Sequence, residues 1–282
     1  MFCTIDDRPL HYETVGQGRP IVFLHGWKMD HRDGLNDFEP AFADRPGWQR
    51  LYLDLPGMGR SPAPPGMTDL DGMLVILLRF LDQVIPGRRF TLAGTSAGAY
   101  LARGIVHHRT DLIDGLLMRV PKILPGFGTH QVPPFRPLLE DPGLMAALAP
   151  SERDELSEML VQRPGYLAAY RDKLSHRVRT AAALADHVAL DRIQFGDGTY
   201  GFSFDLEPPG FRFERPALLV TGRQDTNVGY RDAWTILESY PRASFAVLDR
   251  GEHGLPIDRD ELFRALVSDW LDRVEEFSDD RA

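Results

Sequence analysis

Residues 90–102 read Phe-Thr-Leu-Ala-Gly-Thr-Ser-Ala-Gly-Ala-Tyr-Leu-Ala, and no other stretch restricts the possible folds as much. Phe90, Leu92 and Ala93 form the short apolar run of a buried strand, while 97–108 predicts a helix with small residues on the face nearest the turn. Ser96 lies between them, with Gly94 and Gly98 two residues to either side. The pattern predicts a strand, a sharp turn and a helix, with Ser96 in strained backbone and its hydroxyl pointing away from the sheet. Gly-x-Ser-x-Gly recurs by chance, so the rest of the chain has to support it.

The neighbouring segments continue the alternation. Residues 2–5 and 10–15 predict two strands joined through Asp6-Asp7-Arg8-Pro9, a turn of Asx and proline chemistry. Residues 20–27, Pro-Ile-Val-Phe-Leu-His-Gly-Trp, are a continuous apolar run of the kind buried on both faces of a parallel sheet. A strand is expected at 51–54, then a sharp turn over 55–61 and an amphipathic helix over 69–84 with Asp69 as N-cap. Another apolar strand, 112–120, stops at Pro121. Strands alternating with helices imply an α/β fold with a mostly parallel sheet and helices on both faces.

Over 122–215 the character changes. Residues 125–137 are rich in Gly and Pro, helices are expected at 151–162, 165–174 and 175–190, and 195–213 is glycine-broken and aromatic. Ser151 and Asp154 resemble a capping box with Asp in place of Glu or Gln. No sheet strand is expected here, so 122–215 reads as an insertion covering the sheet edge, between core segments 1–121 and 216–282. The core pattern resumes at 216–225, Pro-Ala-Leu-Leu-Val-Thr-Gly-Arg-Gln-Asp. A helix over 232–239, a last strand over 244–248, the loop Gly251-Glu252-His253-Gly254, a helix over 259–274 and a frayed tail from 278 complete the expectation.

Composition excludes several functions. At 282 residues and 43% hydrophobic content, the chain can bury a sizeable core as one large α/β domain or two small ones. A net charge of -9 argues against a nucleic-acid binder and against attraction to an anionic membrane. Cys3 is the only cysteine, so no intrachain disulfide can form. Residues 1–20 lack a basic start followed by an apolar core, and no apolar run reaches membrane-spanning length. The expectation is a soluble, cytoplasmic monomer or homodimer acting on a small molecule. Paired carboxylates, metal-spaced Cys or His clusters and phosphate-binding glycine loops are missing, so neither cofactor nor metal is expected.

With these segments in order, the chain resembles an α/β-hydrolase fold protein with a cap domain. The resemblance rests on His25-Gly26-Trp27, the 54–61 turn, the 94–98 elbow, Thr221-Gly222-Arg223-Gln224-Asp225 and Gly251-Glu252-His253, in the chain order Ser96, Asp225, His253 that this fold uses. It implies a serine hydrolase acting on a carboxylic ester, lactone or similar small acyl compound through an acyl-enzyme. Carbon-carbon bond hydrolysis on the same triad, or a hydrolase-like receptor with little turnover, are the alternatives.

The chemistry follows from each position. A serine hydroxyl needs a base to take its proton, and His253 is the candidate, with His25 its strongest rival by position; the resemblance makes His25 structural. Asp225 would orient and stabilise the imidazolium, whereas Asp249, nearer in sequence, is read as a turn cap. The developing oxyanion needs two aligned donors: the main-chain N-H of Ala97 at a helix start and, matching the fold's usual second donor, that of Trp27. Phe195, Tyr200 and Phe202 are candidates for an apolar substrate pocket.

Overall fold

The computed structural model describes residues 1–126, 130–197, 200–257 and 260–279. Its strands are β1 (Phe2–Ile5), β2 (Arg8–Val15), β3 (Arg19–Leu24), β4 (Trp48–Leu53), β5 (Phe90–Thr95), β6 (Ile113–Arg119), β7 (Ala217–Gly222) and β8 (Ala243–Leu248). They form one eight-stranded sheet in the order β1-β2-β4-β3-β5-β6-β7-β8. β1, β2 and β4 are joined by antiparallel pairings, and every other neighbouring pair is parallel. The apolar runs of β5, β6 and β7 are buried along their whole length, as strands covered on both faces must be.

Helices cover both faces. α1 (His31–Phe38) and, further along the chain, the closing helix contribute to one apolar cluster with Phe23, Tyr52, Leu117 and Leu218. α2 (Leu70–Val84) and α3 (Ala97–Arg109) pack on the opposite face through Leu74, Leu77, Leu101 and Ile105. Asp69 caps α2 as expected, its carboxylate accepting from the Gly72 N-H at 2.8 Å. Between β6 and β7 come α4 (Pro142–Ala146), α5 (Pro150–Glu155), α6 (Pro164–Lys173), α7 (Arg179–Leu184) and α8 (His187–Phe195), with a small apolar cluster of Leu148, Leu156, Met159, Leu160, Tyr166 and Leu167. The one extended pairing among the described residues of this segment is the bridge between Leu139 and Val161. α9 (Tyr230–Trp234) precedes β8, and α10 (Asp260–Asp279) closes the chain. Among the described residues, no helix is long and apolar enough to cross a membrane.

Several expectations change. β3 stops at Leu24, short of Trp27, because His25 leaves the sheet with Nδ1 bonded to the Gly26 carbonyl at 2.7 Å and Nε2 accepting from the Leu55 N-H at 3.0 Å. α1 was not expected, since its buried residues include Asp33 and Asp37, which disguise its inward face. The helix expected over 151–162 ends at Glu155, and the capping box is absent: the helix starts at Pro150, whose φ suits a first turn, and its N-cap Ala149 makes no side-chain bond. The helix expected over 175–190 is broken, with a π turn at Leu174–Val178, α7, an extended Ala185, and α8 capped by Asp186. The helix expected over 232–239 is α9 followed by a 3-10 turn at Leu237–Ser239. α10 runs past 274 and takes in Ser278, whose hydroxyl donates to the Val274 carbonyl at 2.8 Å; Arg259 and the tail beyond 279 lie outside the described residues.

Candidate active site

The parallel register brings the carboxyl ends of the central strands to one edge, so the loops after β3, β5, β6, β7 and β8 converge there. Ser96 follows β5 at φ 52 and ψ -115, a left-handed backbone that a non-glycine residue adopts at a cost of about 1–3 kcal/mol. Its frame is over-determined: Ser96 N-H donates to the Arg119 carbonyl at 3.0 Å, and its own carbonyl accepts from Lys122 N-H at 3.1 Å and Ala99 N-H at 3.1 Å. The two glycines are required by close approach. A Cβ on Gly94 would lie 2.6 Å from Ala99 Cα, and one on Gly98 would lie 2.2 Å from the Leu24 carbonyl oxygen.

Asp225, just beyond β7, is 1% exposed. Its Oδ1 accepts from the N-H groups of Asn227 at 2.8 Å and Val228 at 3.0 Å, leaving Oδ2 for His253 Nδ1 at 3.0 Å. The carboxylate only accepts, so the histidine proton sits on Nδ1 and Nε2 is an acceptor. Ser96 Oγ lies 3.0 Å from that Nε2 and donates to it. Asp249 instead accepts from Gln224 Nε2 at 2.9 Å. His25, the rival base, spends both ring nitrogens on main-chain groups, and burial lowers its pKa. Ala97 opens α3, where the first N-H groups have no partner within the helix, and Trp27 lines the same cavity as Ser96.

That cavity has a volume of about 510 Å³ and is bounded by the loops that carry Ser96, Asp225 and His253, with Trp27, Met29, Tyr170, Leu174, Val178, Gln194 and Tyr200. Tyr200 lines this cavity, with its ring edge-on to Trp27 at 5.1 Å. Phe195 and Phe202 do not line the cavity. Phe195 ends α8 and is 69% exposed, while Phe202 stacks on Tyr100 at 4.9 Å and on Phe204 at 5.0 Å, so aromatic packing rather than the cavity claims it.

Charged residues of the lining escaped sequence reasoning, Lys122, Arg119, Lys173 and Glu252 among them. Lys122 Nζ donates to the Gly126 carbonyl and to His130 Nε2 at 3.0 Å, and His130 Nδ1 in turn donates to Asp232 Oδ2 at 3.2 Å. Burial pushes the Lys122 ammonium down to about 8. Arg119, Lys173 and Glu252 also border the cavity, and burial pushes the Glu252 carboxyl up to about 7 against the opposing pull of Lys173. The signal available for Arg119 was a charge inside the apolar run 112–120. His11, His31 and Asp54 are the only metal-like grouping among the described residues. There, Asp54 Oδ2 accepts from His11 Nδ1 at 2.8 Å and Arg60 N-H at 2.9 Å, and Oδ1 accepts from His31 Nδ1 at 2.8 Å and its N-H at 2.7 Å. Four donors fill the carboxylate's acceptor sites, which makes the group a fold clamp rather than an open ligand set. Burial opposes the charge on Asp54, yet the His31 bond and neighbouring imidazoles hold its carboxyl well below the ordinary range.

Comparison with known proteins agrees with this architecture. The alpha/beta hydrolase family matches residues 21–266. The AB hydrolase superfamily protein YisY of Bacillus subtilis is 23% identical over 93% of this chain and 94% of its own length. The pimeloyl-[acyl-carrier protein] methyl ester esterase of Legionella pneumophila is 21% identical over 93% of this chain and 99% of its own. Among solved structures, an alpha/beta superfamily hydrolase from Oenococcus oeni superposes with a TM-score of 0.81 at 26% identity, covering 98% of this chain and 99% of that one.

Proposed function

The chain belongs to the alpha/beta hydrolase family, and from that premise we propose that it is a serine hydrolase that cleaves a carboxylic ester, lactone or similar small acyl substrate through an acyl-enzyme. The observation that carries the reading is the continuous relay of Ser96 Oγ, His253 and Asp225, with both links at 3.0 Å, opening into a cavity of small-molecule size. The esterase name of one relative points the same way.

In this reading Ser96 Oγ attacks the substrate carbonyl while His253 Nε2 takes its proton, and Asp225 stabilises the imidazolium. The main-chain N-H groups of Ala97 and Trp27 receive the negative oxygen of the tetrahedral intermediate. His253 returns the proton to the leaving alkoxide oxygen, and the acyl group stays on Ser96. A water then attacks the acyl-enzyme with His253 as its base, releasing the acid and restoring the serine hydroxyl. Segment 122–215 acts as the cap that selects the acyl group, since Tyr170, Leu174, Val178, Gln194 and Tyr200 all come from it.

The test pairs fluorophosphonate labelling with a chain-length series of chromogenic esters. Rapid labelling at Ser96 with turnover is expected, and Ser96→Ala should lower turnover by about 10⁴-fold or more while substrate still binds. Turnover that survives Ser96→Ala sinks the mechanism. Labelling without turnover on any ester would turn the assignment toward carbon-carbon bond hydrolysis or a receptor.

A further inference from the structure

Against the cavity lies a set of buried charges that acyl transfer does not itself require. Arg119, the last residue of β6 and 1% exposed, donates through Nη1 to Asp37 and through Nη2 to Asp33, both on α1. Its Nε donates to Thr95 Oγ1 at 3.0 Å, one residue before Ser96. From the other side, Lys173 ends α6, and Arg177 lies on the π turn that follows. Arg177 donates to Asp37 Oδ1, while Lys173 Nζ donates to Asp37 Oδ2 at 3.1 Å and to the Gly254 carbonyl at 2.5 Å.

The distribution of partners separates the cations. Arg119 and Arg177 between them supply a cation to each of Asp33 and Asp37. Lys173 also holds the main chain next to His253, which the arginines are not seen to do. A compact ammonium with three rotatable donors is suited to bridging a carboxylate and a carbonyl that lie in different directions. The described residues of the loop it holds, 249–257, belong to no helix or strand, and the His253 ring is tied at its far end to Asp225 and Ser96. The aim of the imidazole therefore depends on where the main chain at 253–254 sits.

We propose that Lys173 is a positioning residue for His253: by binding Gly254 and Asp37 together, it fixes the loop that points the imidazole at Ser96. The proposal rests on the serine-hydrolase reading. It adds that α6, which also presents Tyr170 and leads directly into Leu174 on the cavity wall, couples contact with the substrate to the alignment of the base. Substrates that fill this end of the cavity then gain in kcat as well as in binding.

The test uses the full chain and first establishes fluorophosphonate labelling of Ser96 in the wild type, so that failure of the serine-hydrolase reading is seen separately. Lys173→Met should then lower kcat and the labelling rate together by about 10-fold or more, with KM within about twofold, because small misplacements of a reacting group cost rate rather than affinity. Lys173→Arg, which keeps the charge and donors but not the compact ammonium, should recover part of the loss. Arg177→Met, which leaves the Gly254 contact in place, should lower thermal stability and leave kcat near wild type. Unchanged kcat in Lys173→Met, or an equal loss in Arg177→Met, would reduce the cluster to packing. If Lys173→Met does not fold, Lys173→Gln decides: one atom shorter and uncharged, it should lose the grip on Gly254 and several-fold in kcat, and wild-type kcat would overturn the proposal.

Discussion

The parallel sheet and segment 122–215 hold their residues in place by different means. At the sheet, Ser96 is fixed by main-chain bonds to Arg119 and to Lys122, the segment's first residue, and Asp225 by the N-H groups of Asn227 and Val228. Segment 122–215 has short helices, and much of its attachment comes through side chains: Lys28 to Asp191 at 2.6 Å, Trp27 to Gln194 at 2.9 Å, Arg103 to Glu207 at 2.7 Å, and Lys173 to Asp37. Main-chain geometry places an atom closely whatever the neighbouring side chains are, whereas an ion pair or amide contact moves with the residues that make it. Substitutions along the sheet edge should therefore damage chemistry itself, and substitutions in the segment should redirect it, except at Lys173, whose bond to the Gly254 carbonyl reaches the His253 loop.

The largest expected effect that tests this division is at Asp225. Asp225→Asn keeps an acceptor for Asn227 and Val228 but removes the charge beside His253 and favours the wrong tautomer, so kcat on an activated ester should fall by about 10²-fold or more in a folded protein. A near-normal rate would mean that the sheet-edge carboxylate does not serve the histidine. Next comes the wall of the cavity. Leu174→Phe should lower kcat/KM for a long-chain ester about 10-fold relative to an acetate ester, while Phe195→Ala, outside the cavity, should leave that ratio unchanged. Equal losses on every ester would mean that Leu174 is packing and that selection lies elsewhere.

Glu252 sharpens the comparison through pH. Burial raises its folded pKa from the ordinary 4.5 to about 7, so the folded state holds this proton more tightly than the unfolded chain does. The resulting stability is full below about pH 4.5 and is lost as pH rises through about 7. Glu252→Gln should flatten that part of the pH-stability curve and, relative to wild type, gain about 1–2 kcal/mol at pH 8 over its value at pH 4, a figure reduced for the partial exposure of the group. Denaturant unfolding at the two pH values checks it, and parallel curves would show that the carboxyl is already ionised in the fold at neutral pH. The smallest effect belongs to Asp249→Asn. Gln224 keeps its acceptor, so stability should change by no more than about 0.5 kcal/mol and turnover not at all.

Features with local causes were legible. The elbow around Ser96 needs two glycines because main chain passes within 2.6 Å of where a Cβ on either would lie, and Asp69 caps α2 with its own carboxylate. The central strands announced themselves as unbroken apolar runs. Errors fell where a polar residue was buried or a helix was interrupted. α1 turns Asp33 and Asp37 inward, so its periodicity does not look apolar, and the expected helix over 175–190 is divided by the extended Ala185. Phe195 and Phe202 were candidates for the pocket by type alone, but one ends in solvent and the other in an aromatic stack.

By itself, the sequence determined the α/β alternation and the strained turn at Ser96, because each follows from propensity and sterics within a few residues, while the order of Ser96, Asp225 and His253 came from the resemblance. Only the tertiary structure decided which acid faces His253, which side chains wall the cavity, and that Arg119 meets Asp37 and Asp33 across 82 and 86 residues of chain. The reason is that a carboxylate's partner is set by distance in space. Asp249 is four residues from His253 yet bonds Gln224, while Asp225, farther along the chain, holds the imidazole.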